Sequence, residues 1–163
     1  MYLVRVAGKN EFRRVQPVHT KVERPLPSAD TVRKGHALRK VGNAVETDFF
    51  MLMTTIFEGK DRPFYPYCLL MVESESGAIV GQEMMTVDTS LNAMLGQVPV
   101  TLMDELQRLA VRPARLTIRP GRLDTLLRPL CEALGIELHV QRKLPQLDRA
   151  KESLIEFFLR NRR

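Results

Sequence analysis

Tryptophan is absent from this 163-residue chain, aromatic residues make up only 6% of it, and there are just two cysteines and three histidines. A core must therefore be built from aliphatic side chains and from the 8 methionines, whose flexible thioethers fill irregular gaps. Two cysteines cannot form a disulfide framework. Cys68 and Cys131 each sit in an apolar run, "YPYCLLMV" and "LLRPLCEAL", where free thiols behave as small hydrophobes. Together with His19, His36 and His139 they show no CxxC, HxxxH or HExxH spacing, so no zinc site is expected. Neither a GxSxG nucleophile elbow nor a phosphate-cradling GxxxxGKS/T loop occurs, and Gly77 and Gly81 read as turn and strand-packing glycines. No apolar run approaches the ~18 residues of a transmembrane helix. Charge interrupts the residues after Met1 before a secretory segment could form, so a soluble cytoplasmic protein is expected.

Positive charge is present in excess, and it is not evenly spread. Residues 1–45 hold 10 Lys and Arg against 3 Asp and Glu, whereas residues 46–163 hold 15 against 16. A basic arm over 1–45 suits a polyanionic partner such as nucleic acid, or an acidic protein surface, and is equally compatible with a solvated segment. Within it, residues 2–6 and 12–15 can close a small hairpin around "AGKN". The prolines of "KVERPLPSAD" mark an extended linker. Ser28 or Asp30 can then cap a short basic helix running through Arg33, Lys34, Arg39 and Lys40, with Gly35 and Gly42 weighing against it.

An α/β domain is expected over residues 46–163. "DFFMLMTTIF" (48–57) is rich in aromatic and β-branched residues, predicts a strand, and ends at the turn signal "EGKDRP". "YCLLMVES" (67–74) and "AIVGQEMMTV" (78–87), joined by a short glycine turn, predict a hairpin. A short helix near 91–95 and a longer one over 100–110 follow. The remainder alternates: a strand at 114–119, a helix at 122–134 stopped by Gly135 and kinked or split at Pro129, a strand at 136–140, and a helix at 147–161. His139 falls on that last strand, as a core or edge residue. A hairpin requires antiparallel pairing and a strand–helix–strand succession requires parallel pairing, so one mixed five-stranded sheet covered by helices satisfies both.

This order resembles the ribonuclease-H-like fold, and "RPARLTIRPGRLDTLLRPLCEALGIELHVQRKLPQLDRAKESLIEFF" is similar to the second half of an integrase or transposase catalytic core. The resemblance implies a strand ending in a carboxylate, a helix leading to a "GIE" strand, and a proline-containing loop before the helix that carries the last catalytic glutamate. "LGIEL", Pro145 and Glu152 occupy those places. The first carboxylate of the pattern would fall on Glu73. Such carboxylates hold two Mg²⁺ ions that stabilise the attacking and leaving oxygens of phosphoryl transfer. Where the pattern has an acid just after the fourth strand this chain reads Arg119, Pro120, Gly121, with Asp124 the nearest substitute. An arginine there repels metal ions. The passage also resembles an uncharacterised bacterial domain family, sometimes joined to SEC-C modules, from which no activity carries over.

Between Arg108 and Arg128 every cation is arginine. Arg112, Arg115, Arg119 and Arg122 suit bidentate phosphate contact, and suit equally a set of solvated side chains. The expectation is a degenerate ribonuclease-H-like domain that holds no metal or other cofactor and works by binding. Nucleic acid is the first candidate ligand, gripped by those arginines together with Arg33, Lys34, Arg39 and Lys40. A protein-interaction module is the alternative. A divergent nuclease using Glu73, Asp124, Glu152 and Mg²⁺ comes third.

Overall fold

A computed structural model of the chain describes residues 2–5, 12–15, 24–53 and 65–160. The first two segments are β1 (Tyr2–Arg5) and β2 (Phe12–Val15), paired antiparallel as the sequence predicts. Their "AGKN" connection, the turn signal at 58–63 and residues 54–57 of the expected strand lie outside the described residues.

The basic helix forms as α1 (Ala29–Ala37), with the Ser28 hydroxyl accepting the Thr31 N–H at 3.1 Å. It is shorter than expected. Arg39 and Lys40 instead open β3 (Arg39–Met51), the middle strand of a five-stranded sheet. Residues 29–45, expected in the arm, thus build one helix and half of the central strand. Gly35 makes that packing possible, because a Cβ there would fall 2.3 Å from the Leu134 side chain.

The strand expected over 48–57 starts at Arg39, because β3 buries Glu46 and Thr47 just before that stretch and these polar residues mask the apolar pattern. β4 (Tyr67–Glu73) and β5 (Ile79–Met85) form the expected hairpin. β4 is buried on both faces, which explains its continuous apolar sequence. α2 (Leu91–Leu109) is a single helix where two were expected. Pro99 removes one backbone hydrogen bond but is itself buried, and the apolar stripe of Met94, Leu95, Val98, Leu102 and Leu106 continues past it, so burial outweighs the break. β6 (Val111–Ile118) returns beside β3, and its Pro113 sits where the β3–β6 register shifts by a bulge and before pairing with β7 begins, the one stretch where a missing donor is tolerated.

α3 (Arg122–Leu134) runs through Pro129 as one helix, so of the expected kink or split the split does not occur. It ends at Gly135 in the left-handed region (φ 64°), as the sequence predicts. β7 (Glu137–Val140) and α4 (Pro145–Arg160) complete the order. The sheet runs β5-β4-β3-β6-β7, with β3, β6 and β7 parallel and β4 antiparallel to both its neighbours.

Two cores lie on opposite faces. Leu69, Leu95, Leu102, Leu116, Leu127 and Leu130 fill the layer under α2 and α3, while Leu52, Leu70, Val72, Leu144, Leu147 and Leu154 fill the layer under α4. Cys131 belongs to the first and Cys68 to the second, both fully buried. Burial pushes each thiol up to about 12. Since the folded state holds these protons more tightly than the unfolded one, stability is intact below the ordinary thiol value near 8.5 and declines as pH rises toward about 12. Both thiols are expected to stay silent toward a colorimetric thiol reagent at pH 8 and to react together in denaturant; prompt native-state labelling of either would contradict its burial. Among the described residues no helix is long and apolar enough to cross a membrane.

Candidate functional site

Alternation along β3 places Glu46, Asp48 and Phe50 on the face that α4 covers. Each touches α4 or the β6 end differently. The Glu46 carboxylate, 5% exposed, accepts the Leu147 N–H at 2.8 Å and so satisfies an orphan donor of the first turn of α4. Lys151 lies 3.9 Å from the centre of the Phe50 ring. Asp48 faces the chain just beyond β6, because the parallel register pairs Glu46 with Thr117 and the next inward position on each strand brings Asp48 beside Arg119.

Arg119 is the hub. One terminal nitrogen donates to Asp48 Oδ2 at 2.7 Å, the other to Asp148 Oδ1 in the first turn of α4, and Nε reaches the Arg142 carbonyl at 3.4 Å. Asp48 also accepts the Phe49 N–H at 2.9 Å. Burial works against the charge on Arg119, but hydrogen bonds and charge from Asp148 and Asp48 outweigh it and hold the guanidinium above its ordinary pKa. One cation thus ties together β3, β6 and α4.

The three carboxylates singled out in the sequence do not meet. Glu73 ends β4 opposite Val45, three residues back along β3 from Asp48. It accepts the Ser76 N–H at 2.6 Å and the Ser76 hydroxyl at 2.5 Å, and these bonds lower its pKa. It closes a turn. Asp124 pairs with Arg128 at 2.5 Å on α3, which packs against the face of the sheet opposite α4. Glu152 is exposed on α4. Among the described residues no group of three or more His, Cys, Asp or Glu is placed to hold a metal ion.

Sequence reasoning missed Asp48 and Asp148. Their signals were an acid in the first strand of the sheet domain and another just after Pro145. The first is hard to see because the strand is expected to begin at that very residue. Mg²⁺ takes oxygen ligands. At the junction of β3, β6 and α4 the two carboxylates present already share a guanidinium, so these residues do not fit the metal ions that the resemblance implies.

The basic residues divide by position. Arg112 donates to the Leu134 carbonyl at 2.5 Å and contacts His36 Nδ1 at 3.0 Å, bracing the end of α3. Arg115 pairs with Glu137 at 3.0 Å, and Arg33 and Lys34 pair with Asp30. Arg39, Lys40 and Arg122 are exposed and have no carboxylate partner among the described residues; the same holds for Arg142 and Lys143, which sequence reasoning did not single out. Arg39 and Lys40 start β3 beside Val111 and Arg112, whereas Arg122, Arg142 and Lys143 follow β6 and β7. At about 3.3 Å per residue the two groups stand at opposite ends of the eight-residue β6, not on one patch. His139, expected in the core or at an edge, is exposed on the edge strand β7.

The same architecture occurs in retroviral integrase cores. The catalytic core domain of BIV integrase superposes with a TM-score of 0.50 at 21% identity, covering 71% of this chain and 68% of that one. The HTLV-2 integrase catalytic core, determined in complex with magnesium, superposes with a TM-score of 0.51 at 12% identity, covering 74% of each chain. At such identities the likeness establishes the ribonuclease-H-like fold and nothing further. No curated protein matches the sequence. Residues 31–155 match the family described as "Domain of unknown function (DUF6930)", and the chain belongs to that family.

Proposed function

We propose that this domain is a non-catalytic binding module on a ribonuclease-H-like frame, with nucleic acid as its first ligand. The observation that carries the reading is the guanidinium of Arg119 set between Asp48 and Asp148. A cation built into the chain there leaves a catalytic metal no free carboxylates.

Open α/β sheets receive ligands beyond the carboxyl ends of their parallel strands. Arg122, Arg142 and Lys143 stand at that end of β6 and β7, exposed and without acidic partners among the described residues. They are better placed for phosphate than Arg112, Arg115 or Arg119, whose charges are used within the fold. Phosphate contacts of this kind position a ligand without reading its sequence.

Two measurements test the proposal. Mg²⁺ or Mn²⁺ is expected neither to support cleavage of DNA or RNA nor to raise the melting temperature of the wild type. Fluorescence anisotropy at two salt concentrations is expected to show binding that weakens steeply with salt, by about 0.9 in log–log slope per duplex phosphate neutralised. Reversing Arg122, Arg142 and Lys143 to glutamate should flatten that slope by two to three units, and by more than reversing Arg39 and Lys40. Binding no tighter than ~10⁻⁴ M at physiological salt, the weak limit of non-specific contact, would remove nucleic acid and leave an acidic protein partner as the reading to pursue.

A further inference from the structure

We infer that the nucleic acid taken by this domain is single-stranded, and that its bases stack on Tyr65 and Tyr67, where β3 and β4 run out beyond the rest of the sheet. The inference rests on the nucleic-acid reading above and names the class of strand that the exposed cations hold.

Alternation along β3 sets Val45, Thr47, Phe49, Met51 and Met53 on the face that α2 and α3 cover. Val45 and Thr47 are buried, Phe49 is half-buried, and Met51 and Met53 are exposed, the latter by 77%. The change follows from β6, whose pairing with β3 ends at Thr117 beside Glu46, so that β3 runs on past its neighbour. Antiparallel pairing puts Tyr67 opposite Met51, and the Leu52 N–H donating to the Pro66 carbonyl at 2.8 Å carries the register on toward Met53 and Tyr65. Phe49 and Tyr67 stack with ring centres 5.3 Å apart and planes within 18° of each other. Tyr65 follows, 49% exposed. A sheet end that reaches solvent has no packing reason to stay apolar and aromatic, and a patch of this kind marks a contact surface.

Charge selects the occupant. Arg122 follows shortly after Arg119, and the Arg142 carbonyl lies 3.4 Å from the Arg119 Nε, so the exposed cations Arg122, Arg142 and Lys143 gather near position 119. Arg119 sits beside Asp48, and Tyr67 sits opposite Met51, three residues further along β3 and on its other side. About 10 Å along the strand and about 10 Å across two strand spacings put roughly 14 Å between them, the length of about four nucleotides at ~3.4 Å each. A second copy of the chain docking by this corner would bring like charges together. A single strand suits both features, with phosphates on the cations and base faces on the rings. A duplex has its bases already stacked on one another and offers only the phosphates.

The test uses the full chain with a labelled thymidine oligonucleotide of about twelve residues, within the site size of such grooves, and a duplex of equal length, by fluorescence anisotropy at two salt concentrations. The variants are Tyr65→Leu and Tyr67→Leu, with Tyr65→Phe to restore the ring. The wild type should hold the single strand more tightly than the duplex. Each leucine variant should lose about tenfold in affinity for the single strand, the effect of one stacked base, with the salt slope unchanged. Tyr65→Phe should bind as the wild type does. Because the chain has no tryptophan and only 3 tyrosines, tyrosine emission reads the same contact directly. Unlabelled oligonucleotide should quench it in the wild type and less in each leucine variant. Should Tyr67→Leu fail to fold, Tyr65→Leu at its exposed position carries the comparison. Equal or tighter binding of the duplex, with the folded leucine variants matching the wild type, overturns the single-strand inference and leaves the nucleic-acid reading standing. Binding of neither strand form overturns both, and dimerisation lost in Tyr65→Leu would then assign this corner to a second copy.

Discussion

Arg119→Ala is expected to lower the unfolding free energy by about 2–4 kcal/mol. Removing one partner of a buried ion pair typically costs about 3–5 kcal/mol, because the other charge is left desolvated and unpaired. Here the arginine side chain is 30% exposed and Asp148 48%, so solvent screens part of the penalty, while Asp48 at 15% feels most of it. The sign is unambiguous: two carboxylates that shared a cation are left facing each other. Urea denaturation should show a lower midpoint with an unchanged slope, the pattern of lost stability without a changed denatured state. Asp48→Asn in the same background should recover part of the loss, giving a coupling energy of about 1–2 kcal/mol in a double-mutant cycle. An alanine variant within about 0.5 kcal/mol of the wild type, the range of an ordinary surface substitution, would mean that the triad is ornamental.

Leu70→Ala should cost about 3–4 kcal/mol. Leu70 is fully buried in the middle of β4 and faces the layer that it shares with Leu144, Leu147 and Leu154. Deleting such a side chain loses its transfer free energy and leaves a cavity that its neighbours fill only partly, which places leucine-to-alanine changes between about 2 and 5 kcal/mol. This layer is thin, since α4 is the only described helix that contributes to it. The damage should therefore appear first as faster hydrogen exchange along α4, with the amides of α3 on the other face following only at global unfolding. Uniform acceleration of both helices would show that the two faces open as one unit, and a loss below about 1.5 kcal/mol would show that the layer collapses around the gap.

How much of this was legible in the sequence depends on the distance over which each signal acts. The β4–β5 hairpin was plain because two apolar runs flank a short turn with Gly77, and α3 was plain because Arg122 to Leu134 carries a helical stripe closed by Gly135. These are local causes. The start of β3 is misplaced in the sequence because Glu46 looks wrong for a buried strand until its partner, the Leu147 N–H, is known, and that partner lies far along the chain. Arg119 itself was read as a phosphate contact for the same reason. Its charge is visible in the sequence, but Asp48 and Asp148 come beside it only when the sheet and α4 have assembled. Pro99 and Pro129 show the opposite error, in which a strong local rule gives way to continuous burial of the surrounding helix.

The sheet order has a consequence for the chain as it leaves the ribosome. β3 is the first strand of the five to be made and can pair at once with β4, yet its other neighbour, β6, arrives only after β4, β5 and the 19 residues of α2. Throughout that interval the nascent protein carries one satisfied and one open edge on its most central strand, a template on which another unfinished copy could pair. Lys40, Glu46 and Asp48, spaced along β3, place charge on that waiting edge. The acids that later serve α4 and Arg119 can act earlier as gatekeepers, keeping the half-built sheet from joining its neighbours on the polysome.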